Sequence, residues 1–350
     1  MTVYIDKKRT QYKANLHSHS TLSDGKLTEE ELIEAYKKEG YSILAITDHE
    51  TPVRHSGKST SDFLLLDGYE AYIRPSSKCV YNKFKPEIHL NLIAKRSTNA
   101  NEKIPAEYMP YIGYNFFYTK YFDKKIAKSV DVARKLKNRY FSKWYINTFI
   151  ETANKNDYFV FLNHPYWSMM DVEMVNSLEG IHSMEIFNYS SMRINNDEGD
   201  IKYYDMYLRR EKKKGIFDRK KINRPFCHGA DDNHNKGRGF SDSFGGATYI
   251  LADSLDYESV SSSILKGDYY ASTGLQIKHL EINGKNARIE TDDCQTIIMH
   301  ITPKSSIRVD APEGSTINCA EFKIPVGCGF VYFSIKSKDG KSAVSRFYEV

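Results

Sequence analysis

Residues 15–50 read NLHSHSTLSDGKLTEEELIEAYKKEGYSILAITDHE, and this stretch decides the fold. Thr28 followed by Glu31 makes a capping box, Leu27 and Leu32 flank it as a hydrophobic staple, and Gly40 closes the segment as a C-cap. Together they predict a helix over 29–39. The run ILAI that follows at 43–46 is continuously apolar, as in strands buried on both faces of a parallel sheet. The unit is therefore strand, helix, strand. Both strands run into histidine: His17 and His19 after the first, His49 behind Asp48 after the second. Parallel strands joined in this way place their C-terminal ends on one side, where the active sites of such folds assemble.

The pattern recurs along the chain. DFLLLDGYE (62–70) ends at Glu70, EIHLNLIA (87–94) carries His89, DYFVFLNHPYW (157–167) runs to His164, HSMEIFNYS (182–190) carries Glu185, and RPFCHGADDNHN (224–235) ends in Asp231, Asp232 and His234. Each reads as a strand with metal-competent residues in it or just after it. The stretch from about 96 to 156 breaks the pattern and reads as a Tyr- and Lys-rich helical insert. From 275 to 350, short alternating strands separated by Asn-Gly and Asp-Gly turns predict a small all-β, sandwich-like domain. The domains expected are 1–274 and 275–350.

Composition narrows the class. The 350 residues are 40% apolar and 13% aromatic, enough for a sizeable core and against disorder of the whole chain. The net charge is only +5, and the basic run at 211–221 reads as a solvated helix face rather than a nucleic-acid site. The opening MTVYIDKKRTQYKANLH has no apolar signal core, and no stretch reaches the roughly eighteen apolar residues of a membrane span. Cys79, Cys227, Cys294, Cys319 and Cys328 form no C-x-x-C pair and signal neither a disulfide framework nor a zinc ribbon. A soluble protein of the reducing cytoplasm is expected, with no membrane partner.

Side chains alternate along a strand, so His17 and His19 face the same way and can reach one ion together. The other strand ends add Asp24, His49, Glu70, His89, His164, Asp232 and His234. Imidazole with carboxylate suits zinc, manganese or iron, and nine ligands exceed what one ion uses, which points to two or three divalent ions. Metals about 3.5 to 4 Å apart lower the pKa of a bridging water and hold the oxygens of an in-line displacement. Hydrolysis of a phosphate ester matches that chemistry. No nucleophile elbow, Walker loop or dinucleotide fingerprint competes with it.

The motifs HSHSTLSDG, AITDHE, GYE, EIHLNLIA, NHPYW and GADDNH resemble in succession those of the PHP (polymerase and histidinol phosphatase) family, over residues 12 to about 274. The tail after YYASTG resembles the small β domain appended to one branch of that family. The resemblance implies a metal-dependent phosphoesterase on a distorted (β/α)7 barrel with a trinuclear site. It implies that His17, His19, Glu70 and Asp232 hold one ion, that Glu70 bridges to a second held by His89 and His164, and that Asp24, His49 and His234 hold the third. Asp232 is then the ligand and Asp231 its neighbour, while Asp48 and Glu185 orient ligands. Arg54, Arg238 and His228, near the motif loops, are candidates for binding substrate. His55, His182, His279 and His300 read as surface or packing residues, with substrate contact the alternative for His55, which sits near a motif loop.

The substrate expected is a small phosphorylated molecule. The same ions would serve a nuclease or nucleotide phosphodiesterase, or a hydrolase of carboxylic esters or carbamates. A catalytically inactive binding module is a reading of another class, but it would be expected to have lost some of the nine positions, and all nine are filled.

Overall fold

A computed structural model describes residues 1–75, 85–97, 141–195, 199–209, 224–237, 239–302 and 305–350. Chain order runs β1 (Thr2–Ile5), β2 (Gln11–Asn15), α1 (Glu29–Lys38), β3 (Ile43–Ala45), β4 (Leu64–Leu66), β5 (Gly68–Ile73), β6 (Ile88–Ala94), α2 (Lys143–Lys155), β7 (Tyr158–Leu162), α3 (Val172–Ser177), β8 (Ser183–Asn188), α4 (Tyr189–Asn195), α5 (Gly199–Leu208), β9 (Phe226–Ala230), β10 (Ala247–Leu251), α6 (Tyr257–Lys266) and β11 (Tyr269–Ser272). The C-terminal strands are β12 (Ile277–Asn283), β13 (Asn286–Cys294), β14 (Thr296–Thr302), β15 (Ser305–Asp310), β16 (Ile317–Lys323), β17 (Phe330–Lys336), β18 (Ser342–Ser345) and β19 (Tyr348–Glu349). The protein is a mixed α/β structure dominated by sheet.

α1 forms as its sequence dictates. The Thr28 side chain accepts from the Glu31 N–H and the Glu31 carboxylate from the Thr28 N–H. Glu29 to Glu31 complement the N-terminal dipole, and Leu32 and Tyr36 carry the buried face. The chain leaves through Gly40 at φ +74°, a left-handed position natural to glycine. β3 and β4 are fully buried and pair in parallel, and β2 pairs in parallel with β3.

DFLLLDGYE, expected as one strand, is two. The break falls at Asp67, whose N–H bonds the Tyr257 hydroxyl (3.2 Å) while its carboxylate accepts from the Ser56 N–H and hydroxyl, both at 2.7 Å. Gly68 then packs so closely on β6 that an added Cβ would lie 2.7 Å from the Leu92 carbonyl oxygen. β4 stays beside β3, while β5 opens a second sheet in the order β5-β6-β7-β8-β9. β6 runs antiparallel to both its neighbours, whereas β7, β8 and β9 are parallel.

A closed ring of alternating strands and helices is not what the ladders form: among the described residues the sheets are open and helices are few. Isolated bridges join the two sheets, Ser18 to Asn233 at one seam and His49 to Glu70 at the other. Backbone hydrogen bonds reinforce them, from Asp232 N–H to His17 oxygen (2.9 Å), His19 N–H to Asn233 oxygen (3.1 Å) and Glu50 N–H to Glu70 oxygen (2.8 Å). Apolar side chains of both sheets, among them Leu16, Ile43, Leu64, Phe159 and Phe161, fill the space beneath these seams.

The strands after 275 are antiparallel, and they continue the first sheet. Its order, β15-β14-β17-β18-β11-β10-β2-β3-β4, runs through the β11–β18 ladder. A four-stranded sheet, β1-β12-β13-β16, shares a core with it through Leu280, Ile289 and Phe322 against Met299, Val331 and Phe333. Of the 96–156 insert, residues 98–140 lie outside the described residues. α2, capped by Ser142, packs Ile146, Phe149 and Ile150 inward. Among the described residues no helix is long and apolar enough to cross a membrane.

Thr28→Ala removes the cap that starts α1. Loss of about 1 kcal/mol is expected, read as a lower urea midpoint with an unchanged slope.

Candidate metal centre

The motif loops are held by carboxylates that do not enter the centre. Asp48 accepts from the Ser20 N–H (2.8 Å) and from the Ser20 and Ser23 hydroxyls (both 2.6 Å), folding the loop that follows His19. The turn closes so tightly that a Cβ on Gly25 would fall 2.1 Å from the His19 carbonyl oxygen. Asp231 accepts from the Tyr36 hydroxyl (2.7 Å) and from the N–H groups of Phe244 (2.7 Å), Gly245 (3.0 Å) and Gly246 (2.7 Å). With Asp231 so occupied, Asp232 takes a left-handed φ of +53° and directs its carboxylate to the histidines. Asp242 accepts the N–H of His234 at 2.8 Å and fixes the last histidine of the motif.

Glu70 is the hub. It is fully buried, and its two oxygens face five imidazoles: His17 Nε2 at 3.4 Å, His19 Nε2 at 3.4 Å, His49 Nδ1 at 2.9 Å, His89 Nδ1 at 3.0 Å and His164 Nε2 at 3.5 Å. Asp232 Oδ1 lies 3.1 Å from His17 Nε2 and 3.0 Å from His19 Nε2. On the outer side, Asp24 Oδ1 faces His234 Nε2 at 3.3 Å and His49 Nε2 at 3.7 Å. All nine residues expected from the sequence thus converge on one centre.

Their grouping keeps the first expected set and departs from the expectation in the other two. Ligand atoms converge in the sets His17, His19, Glu70 and Asp232; His19, Asp24, His49 and His234; His49, Glu70 and His89; and His17, His164 and Glu185. His89 and His164 stand side by side, ring centres 5.0 Å apart, but their nitrogens fall in different sets. β6 is antiparallel, so His89 reaches the centre from the start of its strand, opposite Tyr72, and not from a C-terminal end. Glu185 holds His17 Nδ1 at 3.1 Å, which leaves Nε2 directed at the cluster, and accepts the His164 N–H at 2.9 Å.

Electrostatics sort the groups. Burial alone would raise Glu70, yet His17, His89 and His49 hold it well below the usual carboxylate range. Burial opposes protonation of His17, but Asp232, Glu70 and Glu185 carry it well above the ordinary imidazole value, and Glu70 and Glu87 likewise lift His89 to about 10. His19 goes the other way, to about 3, through burial and the charges of His234 and His49. Asp231, away from these histidines, is pushed up by burial to about 6.

The donor set fits divalent metal. His17 and His19 point Nε2 at Nε2 across 3.2 Å, and both also face Asp232 Oδ1, so lone pairs converge where a cation would satisfy them together. Among the described residues, buried Glu70 Oε2 accepts no hydrogen bond. Such convergence of imidazole and carboxylate is what a metal site requires.

The centre opens into a cavity of about 720 Å³. Its walls include residues that the sequence reading passed over: Lys26, Tyr72, Arg74, Glu87, Trp167 and Lys236. Period two could have found some of them, since Tyr72 and Arg74 share the face of Glu70, and Glu87 that of His89. Trp167 sets its ring edge-on to His89 and His164, with centres 5.6 and 5.0 Å apart. Two of the expected substrate residues do not line this cavity. His228 is fully buried beneath the centre, its Nδ1 2.9 Å from the Ser183 hydroxyl and its ring on Phe161, and burial lowers it to about 4. Arg54 is half-buried and does not line the cavity. Arg238 lies outside the described residues.

No family model matches the chain, and no curated relative matches it. Solved structures do resemble it. A two-domain protein from Bacteroides vulgatus containing a predicted PHP-like metal-dependent phosphoesterase is 13% identical, with 99% of this chain and 96% of that one covered and a TM-score of 0.40. A protein from Bifidobacterium adolescentis, named for an inferred metal-dependent phosphoesterase activity, is 13% identical over 72% of this chain and 95% of that one (TM-score 0.36). An amidohydrolase from Chromobacterium violaceum with bound sulfate and no metal is 13% identical over 63% and 87% (TM-score 0.37). Likeness this distant leaves the functional case resting on the chain's own residues.

The adjacent aspartates should separate in experiment. Asp231→Ala strands four donors and is expected to lower stability by ~3 kcal/mol in urea unfolding. Asp232→Ala should mainly lower the metal bound per chain, measured by elemental analysis after reconstitution.

Proposed function

We propose that this chain is a metal-dependent phosphoesterase of PHP type, acting on a small phosphorylated substrate. The observation that carries the reading is the convergence of five imidazoles on the buried carboxylate of Glu70, with Asp232 and Asp24 completing the set. In this reading the two bridged sheets are the distorted (β/α)7 barrel, residues 275–350 are its appended β domain, and the protein works in the cytoplasm.

His17, His19, Glu70 and Asp232 would hold one ion and Asp24, His49 and His234 a third; for the second, His89 and His164 fall in different sets but both face Glu70 Oε1, at 3.0 and 3.5 Å, and zinc, manganese or iron are the ions these ligands suit. Bound there, divalent ions supply Lewis acidity and hydroxide at neutral pH. Everything else falls to the protein. Glu185 keeps His17 in the tautomer that presents Nε2 to the centre. Asp48 and Asp242 hold the loops that carry His19 and His234. Lys26 and Arg74 give the cavity cationic walls that a phosphate group can pair with. Glu87 and Asp242 line the same cavity, and this mixed charge in a bounded space favours a small molecule over a nucleic-acid strand, which calls for a continuous basic track.

Metal-reconstituted protein should hydrolyse members of a phosphomonoester and phosphodiester panel, lose that activity on chelation and regain it with zinc, manganese or iron. His17→Ala and Asp232→Ala should each lower kcat/KM by more than ~100-fold, beyond the 10- to 100-fold typical of residues that only orient a ligand. A metal-saturated protein that cleaves no member of the panel would rule out the phosphoesterase reading.

A further inference from the structure

The sets of converging ligands differ in charge, and the difference singles out Lys236. Two buried carboxylates, Glu70 and Asp232, serve the inner set, where they face imidazoles and the side-chain amides of Asn163 and Asn188. The outer set has three imidazoles and a single carboxylate, Asp24. That carboxylate is divided: Oδ1 turns to His234 and His49, while Oδ2 takes the Lys236 ammonium at 2.5 Å. The lysine springs from an anchored backbone, since neighbouring Asn235 is bonded through its N–H to Asp242 and through its amide to the Ser243 hydroxyl. Its side chain is half exposed and lines the cavity mouth.

An ammonium on the sole carboxylate of a ligand set repels a divalent ion approaching that set and withholds one of its oxygens. The same ammonium, once released, would stand at the mouth of a cavity built for an anion. We propose that Lys236 is a displaceable counter-ion of the outer set. A metal ion binds Asp24, His49 and His234 only by driving the lysine off Asp24, and the released lysine becomes an anion ligand at the cavity mouth. The proposal rests on the metal-centre reading above. It makes the outer ion the weakest held, and it couples that ion to phosphate: an anion that draws Lys236 away favours the metal, and by reciprocity the metal favours the anion.

The test is calorimetric titration of Mn²⁺ into metal-stripped full-length protein, with and without inorganic phosphate, for wild type and Lys236→Met. The wild type should show tight uptake followed by a weaker equivalent that phosphate tightens. In Lys236→Met the weak equivalent should tighten about tenfold without phosphate, the size of effect a screened unit charge beside a divalent ion produces. It should also lose its dependence on phosphate. Thermal unfolding of the metal-free variant should match wild type, because the side chain is half exposed. A weak equivalent unchanged by the substitution, or phosphate coupling that persists in the variant, overturns the proposal while the metal centre stands. Wild-type protein that takes up no Mn²⁺ overturns both.

Discussion

A carboxylate with no exposure to solvent, surrounded by five imidazoles, is an arrangement the fold must be built to contain. Glu70 occupies that position, and its burial in a low-dielectric interior is tolerable only because imidazoles and the Asn163 side-chain amide meet it there. The contributors come from β5, β6 and the ends of β2, β3 and β7, so no single local segment can assemble the site. The two sheets have to meet, and they do so at the two seams where the bridges between them lie, one beside His17 and His19 and the other at His49 and Glu70 itself. The chemistry and the closure of the fold occupy the same residues.

A second tier of carboxylates makes this geometry rigid. Asp48, Asp231 and Asp242 bind backbone N–H groups and hydroxyls of the loops after β2 and β9, and Asp67 binds Ser56 in the connection that leads to the second sheet. Each satisfies donors that a loop would otherwise leave open, and none spends its charge on the histidines. The Asp231–Asp232 pair shows the division within two residues. One carboxylate is saturated by Tyr36 and three amides and held up by burial to about 6, and the next faces imidazoles and is held far down.

The strand–helix–strand unit at 15–50 was legible because its signals are local: a capping box, a staple, an apolar run and histidines at period two. The nine converging residues were legible because each sits beside such a run. What escaped was long-range. Alternation along a strand is the same whether it pairs parallel or antiparallel, so nothing in EIHLNLIA tells that β6 runs against its neighbours. The break in DFLLLDGYE falls at Asp67, whose N–H and carboxylate bond Tyr257 and Ser56, 190 residues ahead and eleven back. The lining of the cavity by Arg74, Trp167 and Lys236 depends on which faces the folded chain brings together, and charge or aromaticity alone does not mark it.

The expected boundary near 274 falls within a continuous sheet, and this bears on the site. Strand β2, which leads into His17 and His19, has β3 on one side and β10 on the other, and β10 continues through β11 and β18 into the C-terminal strands. The first histidine pair therefore hangs from a sheet whose far half is made of residues beyond 274, with Val344 and Ala343 of β18 in register with Ala271 and Ser272 of β11. Without β18, β11 would be the edge of this sheet and present a row of unpaired backbone groups. The C-terminal strands thus reach the candidate centre only through the sheet: β18 gives β11 its second neighbour, and β10 and β2 carry the ladder on to His17 and His19.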